Sequence, residues 1–280
     1  MQALNDREVG VLLWAERDHL SDIKALGVRC GQLGIPGDME LTATAAADWK
    51  RALEEHQFTV VTIMAAYNGE DYADIPAVER TVGFVPPASR AQREERTYRV
   101  SDFAAALGVP NIGCHVGFVP DDPGHPVYLE MRDLVRRICD HASGNGQKFV
   151  LETGQEPAHV LLNFLRDVNR PNVGINFDPA NLILYGTGDP IEALAILGPH
   201  VLSVHCKDGD WPPPGIPGAL GHERPLGQGA VGIPRFLDQL KQVGFRGPLT
   251  IERETHDQEQ RMSDIGMAVK LLKELTGVAA

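Results

Sequence analysis

The stretch "VGINFDPAN", residues 173–181, begins like a buried strand and then meets an acid. Hydrophobic side chains alternate through its first half, as in a strand that lies inside a protein, yet Asp178 follows at once. The same pattern returns in "KFVLETG" (148–154) with Glu152, in "VLSVHCKD" (201–208) with His205, and in "GPLTIERE" (247–254) with Glu252. Four apolar runs that each end in an ionisable residue predict a repeated structural unit.

Eight apolar runs separated by amphipathic stretches predict an alternating α/β fold. The candidate strands are residues 9–14, 29–35, 58–65, 111–118, 148–152, 173–178, 201–206 and 248–252. The candidate helices are residues 42–56, 93–108, 127–142, 157–168, 190–198, 234–244 and 261–277. Eight such units predict a (β/α)8 TIM barrel, and we expect one domain over residues 1–280. A doubly wound open sheet has the same alternation, but no GxGxxG motif follows the first strand.

Composition and charge narrow the class of protein. The formal net charge of −12 argues against nucleic acid or an anionic membrane as a partner, because phosphate groups attract lysine and arginine. No apolar run approaches the ~20 residues of a membrane helix. The N-terminal "MQALNDREVG" lacks the basic segment followed by an apolar segment that is typical of a signal peptide. The four cysteines are scattered along the chain, which is typical of reduced thiols. We therefore expect a cytoplasmic location.

The spacing of the four ionisable residues matches the repeat of a barrel. Glu152 and Asp178 are 26 residues apart, and Asp178 and His205 are 27 apart, close to the ~30 residues of one βα unit. Glu252 follows His205 after 47 residues, because the Pro/Gly-rich stretch 211–229 lengthens the loop. The four side chains therefore belong at the C-terminal ends of strands five to eight, where barrel enzymes have their active sites.

Three carboxylates in one place would repel each other and resist ionisation. A divalent cation removes this conflict, and an oxygen-rich set with one imidazole suits Mn²⁺, Mg²⁺ or Co²⁺, with Zn²⁺ as a further option. The sequence thus predicts one divalent metal ion bound by Glu152, Asp178, His205 and Glu252. The alternative is that each is a separate structural polar residue.

The order Glu, Asp, His, Glu on strands five to eight resembles the single-metal site of the ketose 3-epimerases, within the xylose isomerase-like barrel superfamily. This resemblance implies that the same four residues bind the metal. It also implies that Glu152 and Glu252 are the catalytic pair, which transfers a proton through a metal-stabilised enediolate of a keto-sugar or sugar phosphate. A homo-oligomer, dimer or tetramer, is a further expectation from the family.

Other positions extend the resemblance. The segment "HERPLGQG" (222–229) is similar to the Arg-x-Pro-Gly-x-Gly segment of the family, which implies that Arg224 binds substrate. The run "HCKD" (205–208) resembles a His-x-Lys-Asp found in inosose dehydratase-like members and places Lys207 at the rim. The chain departs from the epimerases in "DPAN", where Asn181 replaces a substrate-binding histidine, and in "ETGQE", where Glu156 stands apart from the second glutamate of the family. Asn181, Glu156 and Lys207 are nevertheless candidates for substrate binding. An amide cannot transfer protons but can hydrogen-bond a hydroxyl group.

Further candidates rest on single residues or short runs. His115, near the end of the fourth strand, and Trp14, at the end of the first, are candidates for substrate contact or for barrel packing. Arg90, Arg93 and Arg96 could hold a phosphate or form a solvated helix face. The glycine-rich segment 226–232 could present backbone N–H groups to an anion.

These observations predict a metal-dependent isomerase or epimerase of a small carbohydrate. The first alternative is a dehydratase or β-eliminating lyase that acts on an inosose or a 3-keto sugar. An endonuclease of the same superfamily, which would require several zinc ions, and a non-catalytic sugar-binding barrel are less favoured.

Overall fold

Eight parallel strands close on themselves in the order β1-β2-β3-β4-β5-β6-β7-β10, so the predicted (β/α)8 TIM barrel is confirmed. The computed structural model describes residues 6–277. Residues 1–5 and 278–280 of the expected domain lie outside the described residues. The start of the N-terminal segment that was compared with signal peptides lies outside them as well. The barrel strands are β1 Val9–Trp14, β2 Cys30–Ile35, β3 Thr59–Ala65, β4 Asn111–Cys114, β5 Lys148–Glu152, β6 Val173–Phe177, β7 Val201–Cys206 and β10 Leu249–Ile251. Two further strands, β8 Asp208–Asp210 and β9 His222–Arg224, form an antiparallel ribbon outside the barrel.

Ten α-helices surround the barrel within the described residues. They are α1 Leu20–Ala25, α2 Ala43–Glu55, α3 Ile75–Thr81, α4 Pro87–Leu107, α5 Pro126–Gly144, α6 Ala158–Val168, α7 Pro179–Leu184, α8 Pro190–Leu197, α9 Ile233–Gln242 and α10 Gln258–Thr276, with a 3₁₀ turn at Gly198–His200. No helix in this part of the chain has the length and hydrophobicity needed to cross a membrane.

Several boundaries differ from the sequence prediction for local reasons. Helix α4 begins at Pro87 and not at residue 93, because proline fits the first turn of a helix, where its missing N–H costs nothing. The predicted strand 111–118 ends at Cys114, and the backbone beyond it bends at Gly117, whose φ is +84°. Helices α1, α3 and α7 were not predicted, because six or seven residues are too few to show a helical hydrophobic period.

The hydrophobic core lies between the strands and the outer helices. Outward-facing strand residues such as Leu151 and Ile175 are fully buried in one cluster with residues of the helices. Phe177 of β6 and Phe236 of α9 stack with their ring centroids 6.1 Å apart. Each such aromatic side chain contributes about 2–3 kcal/mol by burial. The core therefore holds the helices against the strands and fixes the strand ends.

One carboxylate organises the long loop after β7. Asp208 accepts hydrogen bonds from four backbone amides, at distances of 2.9 to 3.1 Å: Gly209, Gly227, Gly229 and Val231. The glycine-rich segment 226–232, whose N–H groups could have bound an external anion, instead donates hydrogen bonds to the carboxylate of Asp208. These hydrogen bonds hold the ribbon of β8 and β9 at the edge of the barrel mouth. The segment between the two strands, residues 211–221, lies there as well.

Close contact between β1 and β2 requires glycine at position 31. A Cβ atom on Gly31 would lie 1.9 Å from the carbonyl oxygen of Val11, and the pairing of β2 with β3 shifts register just after this residue. We expect Gly31→Ala to lower the free energy of unfolding by about 2–4 kcal/mol through this overlap, measured by urea denaturation. Gly144→Ala is the control, since its Cβ would meet nothing within 4 Å, and it should change stability by less than about 1 kcal/mol. Equal stability of the two variants would contradict the packing argument.

Candidate metal centre and active site

The ends of β5, β6, β7 and β10 bring the four predicted ligands together. One ligand atom from each of Glu152, Asp178, His205 and Glu252 lies within 4.8 Å of all the others, and all four residues are buried. The Nδ1 atom of His205 is 3.1 Å from Oε1 of Glu152, 3.0 Å from Oε2 of Glu252 and 3.5 Å from Oδ2 of Asp178. Three carboxylates thus surround one imidazole nitrogen.

Nearby positive charges keep these carboxylates ionised. Burial alone would raise the pKa of Asp178, but Lys207 and His205 outweigh it and hold that pKa below its ordinary value. The same balance of burial against His205 and Lys207 lowers the pKa of Glu252. In return, Glu252 and Glu152 raise the pKa of His205 well above its usual range against the opposing effect of burial. The cluster therefore carries several full charges in a small dry volume.

Two oxygens of the cluster have no hydrogen-bond partner, as expected for ligands of a cation. Asp178 caps α7 with Oδ1, which accepts from the N–H groups of Ala180 and Asn181, while its buried Oδ2 accepts from none. Oε2 of Glu252 also accepts no hydrogen bond of suitable geometry, although it lies 3.0 Å from Nδ1 of His205 and 3.1 Å from the ammonium nitrogen of Lys207. Buried acceptors are normally satisfied, so these two atoms and the oxygen-rich donor set fit a divalent cation.

The ring of His205 is oriented by a polar network inside the barrel. Its Nε2 lies 3.0 Å from Oε1 of Gln32, and donation there would leave Nδ1 as the nitrogen that binds a cation held by the carboxylates. Gln32 in turn donates to Oδ1 of Asn176 at 3.0 Å, and Ser203 donates to the same oxygen at 2.6 Å. Gln32 and Asn176 were not predicted as site residues, although each is a polar residue within an otherwise apolar strand and could have been recognised from that.

Lys207 and Asn181 lie against the ligands. The ammonium group of Lys207 is 3.1 Å from Oε2 of Glu252 and 2.9 Å from Oε2 of Glu254. Asn181 donates from Nδ2 to Oε1 of Glu152 at 3.2 Å, and its Oδ1 accepts from Lys207 at 3.4 Å. Asn181 thus joins a carboxylate on one side of the cluster to the ammonium on the other.

A cavity of about 440 Å³ opens above the cluster. Trp14, His115, Asn181 and Lys207 all line it, so four of the six predicted substrate-contact residues face the same space as the ligands. Its volume lies within the range of small-molecule sites.

His115 is held between two side chains at the edge of this cavity. Its Nδ1 accepts a hydrogen bond from Gln155 at 2.9 Å, and its Nε2 lies 3.5 Å from Oε2 of Glu152. Burial opposes ionisation of Glu152, yet His115 and His205 together lower its pKa. His115 therefore contacts a ligand of the cluster as well as the cavity.

Arg224 and Glu156 do not line the cavity, contrary to the placement expected for them. Arg224 is exposed and donates from Nε to Oδ2 of Asp210 at 2.6 Å, because the antiparallel pairing of β8 with β9 sets these two residues on one ribbon. Its neighbour Glu223 faces the cavity in its place, since successive residues of a strand point to opposite sides. Glu156 is buried behind the wall, and burial raises the pKa of its carboxyl group to about 8.

Several cavity residues were not predicted. Tyr72, Glu254 and His256 line the cavity from loops beyond the strand ends, and Glu223 lines it from the short strand β9. Glu254 could have been found from strand alternation, because it lies two positions after Glu252. Tyr72 and His256 come from loops, and no hydrophobic period orients a loop residue.

The chain belongs to the xylose isomerase-like TIM barrel family, whose model matches residues 20–275. Over 202 residues it is 26% identical to an L-ribulose 3-epimerase of Methylomonas sp. (strain DH-1), a match that covers 68% of this chain and 66% of that enzyme. It is 25% identical over 274 residues to the L-ribulose-5-phosphate 3-epimerase UlaE of Salmonella typhi, covering 91% and 87% of the two chains. The structure of a xylose isomerase domain protein from Planctomyces limnophilus superposes with a TM-score of 0.92 and 42% identity, over 96% of this chain and 97% of that one. The two curated relatives named here are sugar epimerases.

Asp178→Asn tests the metal centre while preserving the helix cap, because the amide oxygen of asparagine can still accept the two backbone hydrogen bonds. We expect the wild-type protein, purified without chelator, to carry about one divalent ion per chain by elemental analysis, and the variant to bind at least about 10-fold more weakly. Asp189→Asn is the matched control, since Asp189 caps α8 by the same pair of contacts at an exposed site. Equal metal content in all three proteins would contradict the ligand assignment.

Glu156→Gln tests the buried carboxyl group behind the cavity. A pKa raised to about 8 means that the folded protein holds a proton that the unfolded chain releases near pH 4.3. The wild type should therefore lose stability relative to the variant as pH rises from about 5 to 8, by at most about 1.4 kcal/mol per pH unit. Urea denaturation at several pH values measures the difference, with the exposed Glu274→Gln as control. Parallel profiles of wild type and Glu156→Gln would show that this carboxyl group is not buried as described.

Proposed function

We propose that the protein is a divalent-metal-dependent epimerase or isomerase of a keto-sugar, in which Glu152 and Glu252 transfer a proton through an enediolate. The observation that carries this proposal is the convergence of the two glutamates. They come from β5 and β10, which are separated in the barrel by β6 and β7, and both approach the same imidazole nitrogen at the floor of the cavity. A substrate above the cluster would meet a carboxylate from each of two directions.

The metal would be held by Glu152, Asp178, His205 and Glu252, and we propose Mn²⁺, Mg²⁺ or Co²⁺, with Zn²⁺ as the alternative. A bound divalent cation supplies the positive charge that polarises a carbonyl group and makes its α-hydrogen acidic.

The protein residues supply the proton transfer. The lowered pKa values of Glu152 and Glu252 favour the ionised form, and an ionised carboxylate of either can accept the α-hydrogen as a proton. The electron pair of the broken C–H bond forms a C=C bond to the carbonyl carbon, the π electrons of the carbonyl group move onto its oxygen, and the enediolate results. Lys207, 3.1 Å from Glu252, places a further positive charge beside the reacting region.

Return of a proton to carbon completes the reaction. Epimerisation requires that the second glutamate carry a proton while the first is ionised, and the second then delivers that proton to the opposite face of the same carbon. Return of the abstracted proton from the first glutamate to the neighbouring carbon gives the aldose isomer. The names of the two curated relatives, both 3-epimerases, favour the first outcome.

We place this activity in the cytoplasm, in keeping with four buried free cysteines.

A lyase acting on an inosose or a 3-keto sugar is the second candidate, and Lys207 is the observation that favours it. Loss of a β-hydroxyl group from the same enediolate requires a proton donor for the leaving oxygen. The buried ammonium of Lys207 lines the cavity next to Glu252 and could donate that proton. Loss of water from the substrate, seen by mass spectrometry, distinguishes this outcome from epimerisation.

Glu152→Gln and Glu252→Gln test the proton-transfer pair. With Mn²⁺-loaded protein and a panel of ketoses in D₂O, we expect each variant to lower the rate of α-proton exchange at least about 100-fold, because glutamine cannot accept a proton. Exchange is followed by NMR, and metal content is measured in the same samples so that loss of metal is not mistaken for loss of the base. Glu55→Gln, an exposed change at the C-terminal end of α2, is the control. Exchange at the wild-type rate in both active-site variants would refute the scheme.

A further inference from the structure

We infer that the cavity selects an uncharged polyhydroxy ketone, that is, a sugar that carries neither a phosphate nor a carboxylate group. The inference rests on the proposed function and specifies its substrate class. The family model and the curated relatives leave this choice open, since one relative is named for a free sugar and the other for a sugar phosphate.

Carboxylates dominate the cavity wall. Five line it, and Asp178 lies directly beneath: Glu70, Glu152, Glu223, Glu252 and Glu254. Among the lining residues in the described part of the chain, Lys207 is the one lysine or arginine, and it is already within 3.1 Å of two of these carboxylates. Burial raises the pKa of Glu70 and raises that of Glu223 to about 7. Even with these two left out, Asp178, Glu152, Glu252 and Glu254 supply four negative charges against three positive charges from Lys207 and a bound divalent cation. A phosphate group would add about −1.5 to −2 at neutral pH and be repelled.

The groups that could have neutralised a phosphate are used elsewhere. Arg224 is turned away from the cavity and bound to Asp210. The glycine-rich segment after β9 directs its N–H groups to Asp208. At the cavity floor, the N-terminus of α7 is occupied by the carboxylate of Asp178. The arginine, the glycine-rich segment and the helix N-terminus therefore each contact an internal carboxylate.

Arg93 and Arg96 of α4 lie away from this cavity and donate to backbone carbonyl groups. Arg93 is buried and donates to the carbonyl oxygens of Gly83 and Asn68, and Arg96 donates to that of Pro36. Neither residue lines the cavity above the metal centre. They tie loops to the helix and do not contribute charge to the substrate space.

The wall instead presents hydrogen-bond acceptors to hydroxyl groups. Glu223 is positioned by Arg253 at 2.9 Å and by the backbone N–H of Glu254 at 3.1 Å, and its carboxyl group faces the cavity. Glu254 is half exposed next to it and paired with Lys207. Carboxylate oxygens accept hydrogen bonds and hydroxyl groups donate them, so a row of sugar hydroxyls fits where a phosphate does not.

A direct comparison of paired substrates tests the inference. Metal-loaded wild-type protein is assayed in D₂O with L-ribulose against L-ribulose 5-phosphate, and with D-fructose against D-fructose 6-phosphate. We expect kcat/KM for α-proton exchange to favour the free sugar of each pair by at least about 100-fold. Added salt should narrow this ratio, because it screens the repulsion of exposed charges. Equal or faster exchange with the phosphorylated sugars would overturn the inference.

Charge variants separate repulsion from a change of shape. Glu223→Gln and Glu254→Gln keep the size of the side chain, and each should narrow the free-to-phosphorylated ratio about 3- to 10-fold by improving the phosphorylated substrate. Glu55→Gln, an exposed glutamate at the C-terminal end of α2, should leave the ratio unchanged. An unchanged ratio in both wall variants would overturn the assigned role of these carboxylates.

If neither sugar of a pair exchanges its α-hydrogen, the proposed function fails, and the inference is then decided by binding. Calorimetric titration of the metal-loaded protein with the same four compounds gives the affinities directly. Tighter binding of the free sugars supports an uncharged ligand, whereas tighter binding of the phosphates, or no binding of any of the four, overturns it.

Discussion

The crowding of three carboxylates around one imidazole nitrogen is the constraint on which the centre of this molecule depends. Buried ionised carboxylates cost several kcal/mol each unless they are paired. The surrounding structure offsets that cost in three ways: His205 and Lys207 provide positive charge, α7 provides N–H groups for Asp178, and Asn181 donates to Glu152. The strand ends, the first turn of α7 and the polar interior of the barrel are all arranged to hold these charges in place.

The barrel and the convergence of the four predicted ligands could be predicted from sequence because both follow from periodic patterns. Strands that end in an ionisable residue 26 and then 27 residues apart indicate the register of a repeating unit, and register decides which side chains meet. Arg224 was misplaced for the opposite reason. Its orientation depends on the pairing of β8 with β9, a two-stranded ribbon of three residues each, which leaves no hydrophobic pattern in the sequence. Gln32, which contacts His205, comes from the first half of the chain, where no motif pointed to it.

The metal centre and the substrate wall depend on different parts of the fold. Strand ends supply the ligands, and this arrangement is compatible with several products from one enediolate. Loops supply Glu254, Tyr72 and His256 to the cavity wall, and β9 supplies Glu223. Membership of a family defined by its barrel therefore bears on the strand ends at the floor of the cavity, whereas the wall above them is built from segments outside the barrel strands.

The hydrogen bonds of Asp208 allow the sequence of the long loop after β7 to change independently of the barrel strands. By binding four amides on both sides of the long loop, it closes that loop at its base and leaves residues 211–221 as an appendage held at both ends. Insertions, deletions or substitutions within the appendage would alter the cavity rim without moving β7 or β10. The loop is thus a separable module, in which new substrate preferences can arise by mutation while the metal ligands, anchored below it, keep their geometry.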